Sequence, residues 1–531
     1  MSVYLIFFSL IILLCIFCNK ISGKLGIPVL LAFICLGMIF GSDGIFKINF
    51  DNYKFAEQIC SVALIFIMFY GGFGTNWKSA KPAAAKALAL STLGVVITAA
   101  LTGLFCYFVL HFKFFESLLF GAVISSTDAA SVFSVLRSKE LNLKDNTASI
   151  LEIESGSNDP CSYMLTVIIL SVMSGNTQSG KILLTVFTQL VWGAVFGIVF
   201  AVIAVFIFHH FKFTAGFDNI FVVAIAILAF ALPTSINGNG YLSVYIFGII
   251  LGNSSFKNKR NLVIFFDGIT SLMQMTIFFL LGLLAFPSQI PSILLPSLAI
   301  AVFLTFIARP LAVFALLAPL KCKLNQLLLI SWSGLRGAAS IVFAIMAIIS
   351  PAYTKYDIFH IVFCIVLFSI AIQGTLIPFA AKKLNMIDEN SNVMKTFNDY
   401  TEEVPIQFIQ LIIQNDHPWK NLMIKDIPSP PDTLIVLIIR NKQMVVPNGD
   451  TVILENDILV MSAQAFKYAE KISLNEIVVN QNHNWLDKTV EELDLMPQKI
   501  IVMIQREGKI IIPDGQTSIN LNDIIVINEL E

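Results

Sequence analysis

The decisive stretch of the chain is Glu152-Ile-Glu-Ser-Gly-Ser-Asn-Asp-Pro160, which interrupts an otherwise apolar run from residue 149 to residue 173. Such a run is long enough to cross a bilayer, because about 20 apolar residues span its hydrocarbon core. At a rise of about 1.5 Å per residue, Asp159 lies about 15 Å into the span, near the middle of the membrane. A carboxylate at that depth is costly unless it pairs or faces a wet cavity, so Asp159 marks a pathway for ions or protons.

Other ionisable side chains lie in the middle of apolar runs of the same kind: Asp128, Glu154, Arg309 and Arg336. Any one of them alone would fit a purely structural role, in which opposite charges hold helices together. The five together do not balance, because three carboxylates face two guanidiniums. A buried carboxylate without a counter-charge takes up a proton or a cation, and the set therefore predicts an exchange site.

Two of these charges stand in segments rich in glycine, serine and threonine, Ile124-Ser-Ser-Thr-Asp-Ala-Ala-Ser131 and Gly334-Leu-Arg-Gly-Ala-Ala-Ser340. Such residues weaken a helix and allow backbone carbonyls to turn toward an ion, as in the discontinuous helices of transporters. In the decisive stretch, Ser155 and Asp159 are four residues apart and share one helix face, and Glu154 and Asn158 share the next. One face is therefore predicted to bind the ion while the neighbouring face supports it.

The length of the apolar runs predicts an all-α polytopic membrane region of about thirteen transmembrane helices, with broken helices at the midplane. The predicted spans are 2–19, 25–42, 55–73, 83–110, 114–136, 149–173, 182–208, 217–236, 238–254, 262–286, 292–318, 326–349 and 357–381. Every second connection is rich in Lys and Arg, with 16 such residues against five in the others. The positive-inside rule then places the N-terminus outside and the C-terminal region in the cytosol.

The charge of the chain divides at the end of the last span. Residues 1–383 contain 23 Lys and Arg against 13 Asp and Glu, a net +10, whereas residues 384–531 contain 11 against 22, a net −11. We therefore predict a transmembrane domain over 1–383, a linker over 384–404 and an acidic soluble region after it. The acidic charge excludes a basic nucleic-acid surface, and the absence of cysteine from this region excludes a disulfide-stapled extracellular domain.

The soluble region repeats itself at a spacing of 66 residues. The matching pairs are His417/His483, Trp419/Trp485, Arg440/Arg506, Pro447/Pro513, Gly449/Gly515, Thr451/Thr517 and Asp457/Asp523. This self-similarity predicts two copies of one α/β lobe, over 405–466 and 471–531, with strands at 435–438 and 501–504. We expect the matched Pro-x-Gly-x-Thr turns to serve the pairing of these lobes.

The membrane region resembles monovalent cation:proton antiporters of the Na⁺/H⁺ exchanger type. The resemblance rests on Asn158-Asp159 in the sixth span, Thr127-Asp128 in the fifth, a Glu five residues before the Asp, an Arg in the eleventh span and the Gly334-Leu-Arg-Gly-Ala run. It implies that Asp159 carries the proton or cation, with Ser155, Asp128 and the Thr127 backbone completing the site. Asn158 and Glu154 would support Asp159, Glu154 would pair with Arg309, and Arg336 would stabilise the broken twelfth helix. Depth alone leaves Arg336 open as the partner of Glu154.

The repeated lobes resemble the C-terminal lobe of potassium-conductance regulatory domains, the TrkA-C type. The resemblance implies a paired, dimer-like unit that binds a small molecule or nucleotide. The alternative is that the repeats only fold and support dimerisation. The attached lobes favour the K⁺/H⁺, cell-volume-regulating branch of the exchangers. The resemblance to the exchangers implies a homodimer in the cell membrane.

The predicted function is electroneutral exchange of protons for K⁺ or Na⁺, with no enzymatic activity, no cofactor and no metal beyond the transported cation. No Walker sequence is present, so ATP-driven pumping is not supported. Cys15-Ile-Phe-Cys18 lies in an outer apolar span, which disfavours a redox or metal role. The rival from another class is a ligand-gated cation channel or conductance regulator, but a channel needs a continuous filter and the chain offers one charged cluster at the midplane.

Overall fold

The computed structural model describes the chain except for residues 1, 26–27, 76, 139–140, 176–178, 212, 215, 257–258, 353–355, 389–405, 416, 429–432, 441–442, 465–471, 482, 494–498, 507–508, 512 and 531. Most of the predicted linker, residues 389–404, lies outside the described residues. Contacts divide the chain into two compact units, Met1–Thr401 and Glu402–Glu531.

The first unit is helical. Its helices are α1 (Ser2–Leu25), α2 (Val29–Phe40), α3 (Tyr53–Gly74), α4 (Trp77–Ala89), α5 (Val95–Phe108), α6 (Phe114–Val123), α7 (Ala129–Ser138), α8 (Thr147–Met173), α9 (Ser179–His210), α10 (Phe217–Ser235), α11 (Gly240–Gly252), α12 (Lys259–Leu284), α13 (Ile290–Phe303), α14 (Arg309–Leu317), α15 (Leu324–Trp332), α16 (Ala338–Ile349), α17 (Ile358–Phe368) and α18 (Thr375–Lys383).

Seven helical stretches among the described residues are long and apolar enough to cross a membrane: Tyr53–Gly74, Lys81–Phe108, Ile182–His210, Phe217–Ser235, Lys259–Leu284, Pro287–Leu317 and Ile358–Lys383. Shorter apolar helices lie at Ser9–Cys18, Val29–Phe40, Phe114–Val123, Gly240–Gly252 and Ala338–Ile349. The figure of about thirteen spans therefore stays a prediction, because several of the helices that it counts are too short to cross a membrane alone.

Three of the long stretches contain a π-helical turn, which joins α4 to α5, α13 to α14 and α17 to α18. The turns cover Leu90–Gly94, Leu304–Ala308 and Ser369–Gly374. π-Turns are rare and concentrate at functional sites. Here the second turn ends directly before Arg309, so it sets the direction in which that side chain leaves the helix.

Helices α2 and α12 cross at glycines, which allow the two backbones to touch. A Cβ atom on Gly37 would overlap the carbonyl oxygen of Phe279, and one on Gly282 would overlap that of Ile34. Small residues at crossings are a usual way for membrane helices to approach closely. The crossing fixes α12 beside α2 and so positions one wall of the cavity described below.

The second unit contains two four-stranded antiparallel sheets with the same topology. The first has the order β1-β4-β2-β3, and the second has the equivalent order β5-β8-β6-β7. The strands are β1 (Ile406–Ile412), β2 (Leu434–Arg440), β3 (Gln443–Val445), β4 (Ile458–Gln464), β5 (Ile472–Val478), β6 (Lys499–Arg506), β7 (Lys509–Ile511) and β8 (Ile524–Leu530). The predicted duplication and both predicted strands are thus confirmed. Within the described part of the lobes, helix is limited to short 3₁₀ turns such as Ile424–Asp426 and Val490–Glu492.

The matched residues of the repeat bind inside their own lobe. In the first lobe, Arg440 forms a two-pronged ion pair with buried Asp457, with N···O distances of 2.8 and 2.7 Å. In the second lobe, Arg506 and Asp523 repeat the contact at 2.9 and 2.7 Å. Burial alone would raise the pKa of Asp457, but the hydrogen bonds from Arg440 and from a backbone N–H hold it below the usual range.

The threonine of the matched Pro-x-Gly-x-Thr turn also has its partner within the turn. The N–H of Asn448 donates to the hydroxyl oxygen of Thr451 at 2.9 Å, and that hydroxyl donates to the Asn448 side chain at 2.8 Å. In the second lobe, Asp514 and Thr517 form the same pair. The threonine thus closes the turn itself, and the expectation that these turns serve lobe pairing stays a prediction.

Candidate functional site

Two helices are broken where they pass each other, and their breaks are in contact. The first break separates α6 from α7, and the second separates α15 from α16. The backbone N–H of Asp128 donates to the carbonyl oxygen of Leu335 at 2.7 Å across the crossing. A Cβ atom on Gly337 would lie 2.5 Å from the Cβ of Asp128, so only glycine permits this approach. The glycine- and serine-rich segments therefore form the predicted discontinuities.

Arg336 lies buried in the second break and holds the first. Its Nη1 atom donates to the carbonyl oxygens of Ser125 and Ser126, both at 2.7 Å. Its own backbone N–H donates to the hydroxyl of Ser369 at 3.1 Å. The guanidinium thus places a positive charge beside carbonyls that follow the C-terminal end of α6, where the helix dipole is negative. Its side chain supports the broken fifth span, whereas the resemblance implied support for the twelfth.

Asp159 lies in the middle of α8 and faces the first break. The hydroxyl of Ser126 donates a short hydrogen bond to its carboxylate. Among the described residues, no Lys or Arg nitrogen lies within ion-pair distance of Asp159. Within the described part of the chain, the negative charge of Asp159 therefore has no Lys or Arg side chain as an ion-pair partner.

The neighbouring polar residues of α8 bind the backbone of the first break. The Ser155 hydroxyl accepts from the N–H of Ala129 at 2.8 Å and donates to the carbonyl of Thr127 at 3.0 Å. The Asn158 amide donates to the Thr127 hydroxyl at 2.6 Å and contacts the same carbonyl at 3.3 Å. The carbonyl of Thr127 thus already has two donors, and a cation would have to displace one of them.

Asp128 lies at the start of α7. Its carboxylate accepts from the hydroxyl of Ser131 at 2.6 Å and from the backbone N–H of the same residue at 3.4 Å. This places a negative side chain at the N-terminus of a helix, where the exposed N–H groups favour an anion. Asp128 therefore lies beside the site with its charge supported by its own helix.

Glu154 is paired with Arg309, not with Arg336. The Arg309 Nη1 lies 2.5 Å from one carboxylate oxygen, and Nη2 donates to the other at 2.8 Å. Both side chains are almost fully buried, at 1% and 3% exposure. The alternative that depth left open is thus decided by the structure, because Arg336 is used by the carbonyls of the first break.

A cavity of about 550 Å³ reaches the cluster from one side. It is lined by residues of α2, α3, α8, α12, α16 and the first break, among them Asp128, Asp159 and Ser155. Opposite these residues the wall contains Asp267, whose carboxylate accepts a hydrogen bond of 3.0 Å from the hydroxyl of Tyr70. The cavity thus reaches the side chain of Asp159.

Sequence reasoning missed Ser126, Tyr70 and Asp267. Ser126 lies in the Ile124–Ser131 segment directly before Thr127 and Asp128, so its position in the sequence could have predicted a place at the site. Asp267 lies only eight residues from Lys259, so the sequence favours its assignment to the polar end of a helix over a place at the site. Tyr70 shows its role only through its contact with another helix.

Comparison with known protein families gives two matches on this chain. The family described as sodium/hydrogen exchanger, transmembrane, matches residues 9–383. The TrkA-C domain matches residues 408–465, within the first lobe. The helical transporter fold and the TrkA-C type of the first lobe are thereby confirmed.

Among characterised relatives, the K⁺/H⁺ antiporter NhaP of Alkalimonas amylolytica is 35% identical over 462 residues, which are 86% of this chain and 80% of the relative. The K⁺/H⁺ antiporter NhaP2 of Shewanella sp. strain MR-4 is 30% identical, over 93% of this chain and 88% of the relative. The solved sodium proton antiporter MjNhaP1 of Methanocaldococcus jannaschii superimposes with a TM-score of 0.64 at 25% identity. It covers 72% of this chain and 99% of its own.

Proposed function

Because the chain belongs to the family of transmembrane sodium/hydrogen exchangers, we propose that Asp159 is the carboxylate that binds a proton and a monovalent cation in turn. The protein is a multi-pass membrane antiporter that exchanges protons for monovalent cations. It is a transporter, and we infer neither an enzymatic reaction nor a cofactor. A ligand-gated channel is not favoured by the relatives.

The observation that carries the assignment is how the buried charges are matched. Arg309 is paired with Glu154, and Arg336 is used by backbone carbonyls. Asp159 is left with a hydroxyl donor, which cannot neutralise it. A buried carboxylate of this kind is stable only with a proton or a cation bound, because an isolated buried charge is strongly disfavoured.

The oxygens around Asp159 suit a monovalent cation. We assign as ligands the carboxylates of Asp159 and Asp128, the hydroxyl of Ser155 and the backbone carbonyl of Thr127. Hard cations prefer such oxygen ligands. Binding through Thr127 would replace the long 3.3 Å contact from Asn158, which is the weaker of its two hydrogen bonds. Asn158 would then keep its 2.6 Å bond to the Thr127 hydroxyl and hold the break in place.

If a single carboxylate binds a proton and a cation in turn, the stoichiometry is one proton for one monovalent cation, and exchange is electroneutral. We favour K⁺ as the physiological cation. Two relatives that match both the membrane unit and the region of the lobes are named K⁺/H⁺ antiporters. The name of the solved relative, which matches 72% of the chain, refers to sodium.

We further propose that the cavity opens to the cytosol and the N-terminus lies outside. The cavity is lined by Gly74, Glu152 and Asp267, which lie near helix ends that adjoin the Lys- and Arg-rich connections. By the positive-inside rule, those connections face the cytosol. Cytosolic cations would then reach Asp159 in the state seen here, and the lobes after the last helix lie on the same side.

The division of labour that we propose assigns exchange to residues 1–383 and regulation to two lobes, 405–466 and 471–531, joined by a linker over 384–404. The lobes would regulate by favouring one state of the membrane unit, because a ligand shifts an equilibrium only through unequal affinity for its two states. A homodimer and a small-molecule or nucleotide ligand at the lobes complete the proposal. Regulation of cell volume is the physiological role that we associate with the K⁺ branch.

The test is proton flux in vesicles that contain the purified protein and a pH-sensitive dye. Pulses of K⁺ or Na⁺ should change the internal pH in the wild type, with the same rate when the membrane potential is clamped. Asp159→Asn should abolish the response to both cations, because a neutral amide cannot alternate between a proton and a cation. Asp218→Asn is the matched control, since it removes a buried carboxylate of α10 outside the cavity lining.

Wild-type flux in Asp159→Asn would show that the site is elsewhere. Flux that rises when the potential is clamped would argue for an electrogenic mechanism or a channel, because the clamp removes the opposing potential that net charge movement builds. A response to Na⁺ alone would overturn the preference for K⁺ without affecting the site.

A further inference from the structure

The chain that leaves the last helix of the membrane unit pairs with the loop between α7 and α8. Residues 142–144 run antiparallel to residues 386–388, in a single bridge centred on Leu143 and Ile387. We call these two segments the linker clasp. The loop within the clasp joins the helix that follows Asp128 to the helix that carries Asp159, so the clasp is attached to both sides of the proposed ion site.

The clasp is held by backbone hydrogen bonds on both sides of the bridge. The N–H of Lys144 donates to the carbonyl of Met386 at 2.9 Å, and the N–H of Asp388 donates to the carbonyl of Asn142 at 2.9 Å. The Lys144 ammonium adds a contact of 3.3 Å to the carbonyl of Asn385. Three contacts thus join two short segments that are more than 240 residues apart in sequence.

The clasp is also packed. Leu143 and Met386 are buried, at 6% and 3% exposure, and belong to the same apolar cluster. The N–H of Met386 donates to the carbonyl of Ala381 at 2.9 Å, which ties the clasp to the end of α18. These contacts make the clasp part of the membrane unit.

A second set of contacts links the same loop to the other broken span. The Lys323 ammonium lies 2.9 Å from the carboxylate of Asp145, and the Gln326 amide donates to the Asp145 carbonyl at 2.9 Å. Gln326 belongs to α15, which leads into the second break. The loop beside the clasp therefore contacts α15, which leads to Arg336, and continues into α8, which carries Asp159.

We propose that the cytoplasmic lobes control exchange through the linker clasp. The inference rests on the proposed function, in particular on the regulatory role of the lobes. Residues 386–388 of the clasp are the start of the linker, and the chain continues from Asp388 toward the lobes. A movement of the lobes that pulls on the linker therefore acts first on the clasp. The clasp transmits this movement to α7 and α8 and so shifts the equilibrium between the two states of the ion site.

The decisive experiment combines removal of the lobes with rupture of the clasp. Asp388→Pro removes the N–H that donates to Asn142, and it suits the extended conformation that proline favours in the preceding Ile387. Four proteins are compared in vesicles: the full chain and a chain ending at Thr401, each with and without Asp388→Pro. The shorter chain is reasonable, because Met1–Thr401 is a compact unit and the solved relative matches 72% of this chain over 99% of its own length.

We expect removal of the lobes to change the exchange rate at a fixed cytosolic pH by about fivefold or more, the lower range of allosteric coupling. In the Asp388→Pro background, removal of the lobes should change it less than twofold. Equal changes in both backgrounds would show another route, and no change in either would show no control by the lobes. Either result overturns the inference. If the full-length wild type shows no cation-dependent proton flux at all, the proposed function fails instead.

A disulfide separates loss of the clasp from misfolding. Leu143 and Ile387 form an antiparallel pair flanked by its hydrogen bonds, for which the Cα atoms lie about 4.5 Å apart, within disulfide range. Leu143→Cys/Ile387→Cys in the Asp388→Pro protein should regain the effect of the lobes when oxidised and lose it when reduced. Each single cysteine variant should not respond to oxidation. Absence of this rescue in a protein shown to be cross-linked would overturn the inference.

Discussion

Loss of one partner of the Glu154–Arg309 pair should destabilise the membrane unit far more than loss of both. Each side chain is almost fully buried, and both terminal nitrogens of Arg309 are used by the Glu154 carboxylate. Glu154→Met leaves the guanidinium without its counter-charge, and Arg309→Met does the same to the carboxylate. Removal of one member of a buried pair costs about 3 to 5 kcal/mol, whereas an exposed pair contributes about 0 to 1 kcal/mol.

The double variant Glu154→Met/Arg309→Met leaves no unpaired charge and replaces the pair by apolar groups of similar length. Such replacements are often neutral or stabilising. We therefore expect the double variant to recover most of the loss, with a coupling free energy of about 3 kcal/mol between the two positions. Glu154→Met/Arg336→Met should not recover, because Arg336 binds the carbonyls of Ser125 and Ser126.

The measurement is the free energy of reversible unfolding in mixed micelles, followed by tryptophan fluorescence. Glu152→Met is the matched control, since it makes the same change two residues earlier in α8 at a half-buried position of the cavity wall. If the single variants lose less than about 1 kcal/mol, the pair behaves as an exposed one and the reasoning from burial is refuted. If the losses of the two single variants simply add, the pairing itself is refuted.

Two further predictions concern the crossing of the broken helices and the lobes. Gly337→Ala should weaken cation binding by about 1 to 3 kcal/mol, because the new Cβ would lie 2.5 Å from the Cβ of Asp128. The cation concentration for half-maximal flux should rise accordingly. Gly71→Ala is the control and should leave this concentration unchanged, because there is open space around its Cβ. In the lobes, the pKa of Asp457 and of Asp523 is lowered in the folded state, so their contribution to stability is complete above about pH 4. That contribution is lost as the pH falls through the pKa values of the folded state, and hydrogen exchange of the lobe strands should accelerate there. Asp457→Asn should remove this pH dependence from the first lobe only.

The membrane position of the charges was readable from the sequence, because an ionisable residue in the middle of an apolar run stands out by depth alone. The breaks were predictable for a similar reason, since their glycine, serine and threonine content is unsuited to a continuous helix. Pairing was not predictable, because Arg309 and Arg336 have the same depth and differ only in which helix faces them. The π-turn before Arg309 adds a rotation that no periodicity in the sequence announces.

The linker clasp was not predictable for a different reason. A bridge between two short segments has no repeating pattern of apolar and polar residues, and its strength comes from backbone groups that every sequence has. The repeat of the lobes shows the opposite case. A spacing of 66 residues predicted both sheets, but the matched Arg and Asp residues proved to stabilise each lobe from within.

The two carboxylates at the site differ in what surrounds them, and this difference explains how one proton can be exchanged for one cation. Asp128 precedes α7 and accepts from the hydroxyl and the N–H of Ser131, so it lies at a helix N-terminus, where exposed N–H groups attract an anion. Asp159 lies in the middle of α8, where the N–H groups are used within the helix, and it has only the Ser126 hydroxyl as a described donor. In the function that we propose, the proton is taken up and released at Asp159 while Asp128 attracts the cation. Among the described residues, Arg309 pairs with Glu154 and Arg336 donates to backbone carbonyls, so neither guanidinium forms an ion pair with Asp159. We therefore propose that a proton and a cation from the cavity compete for this carboxylate.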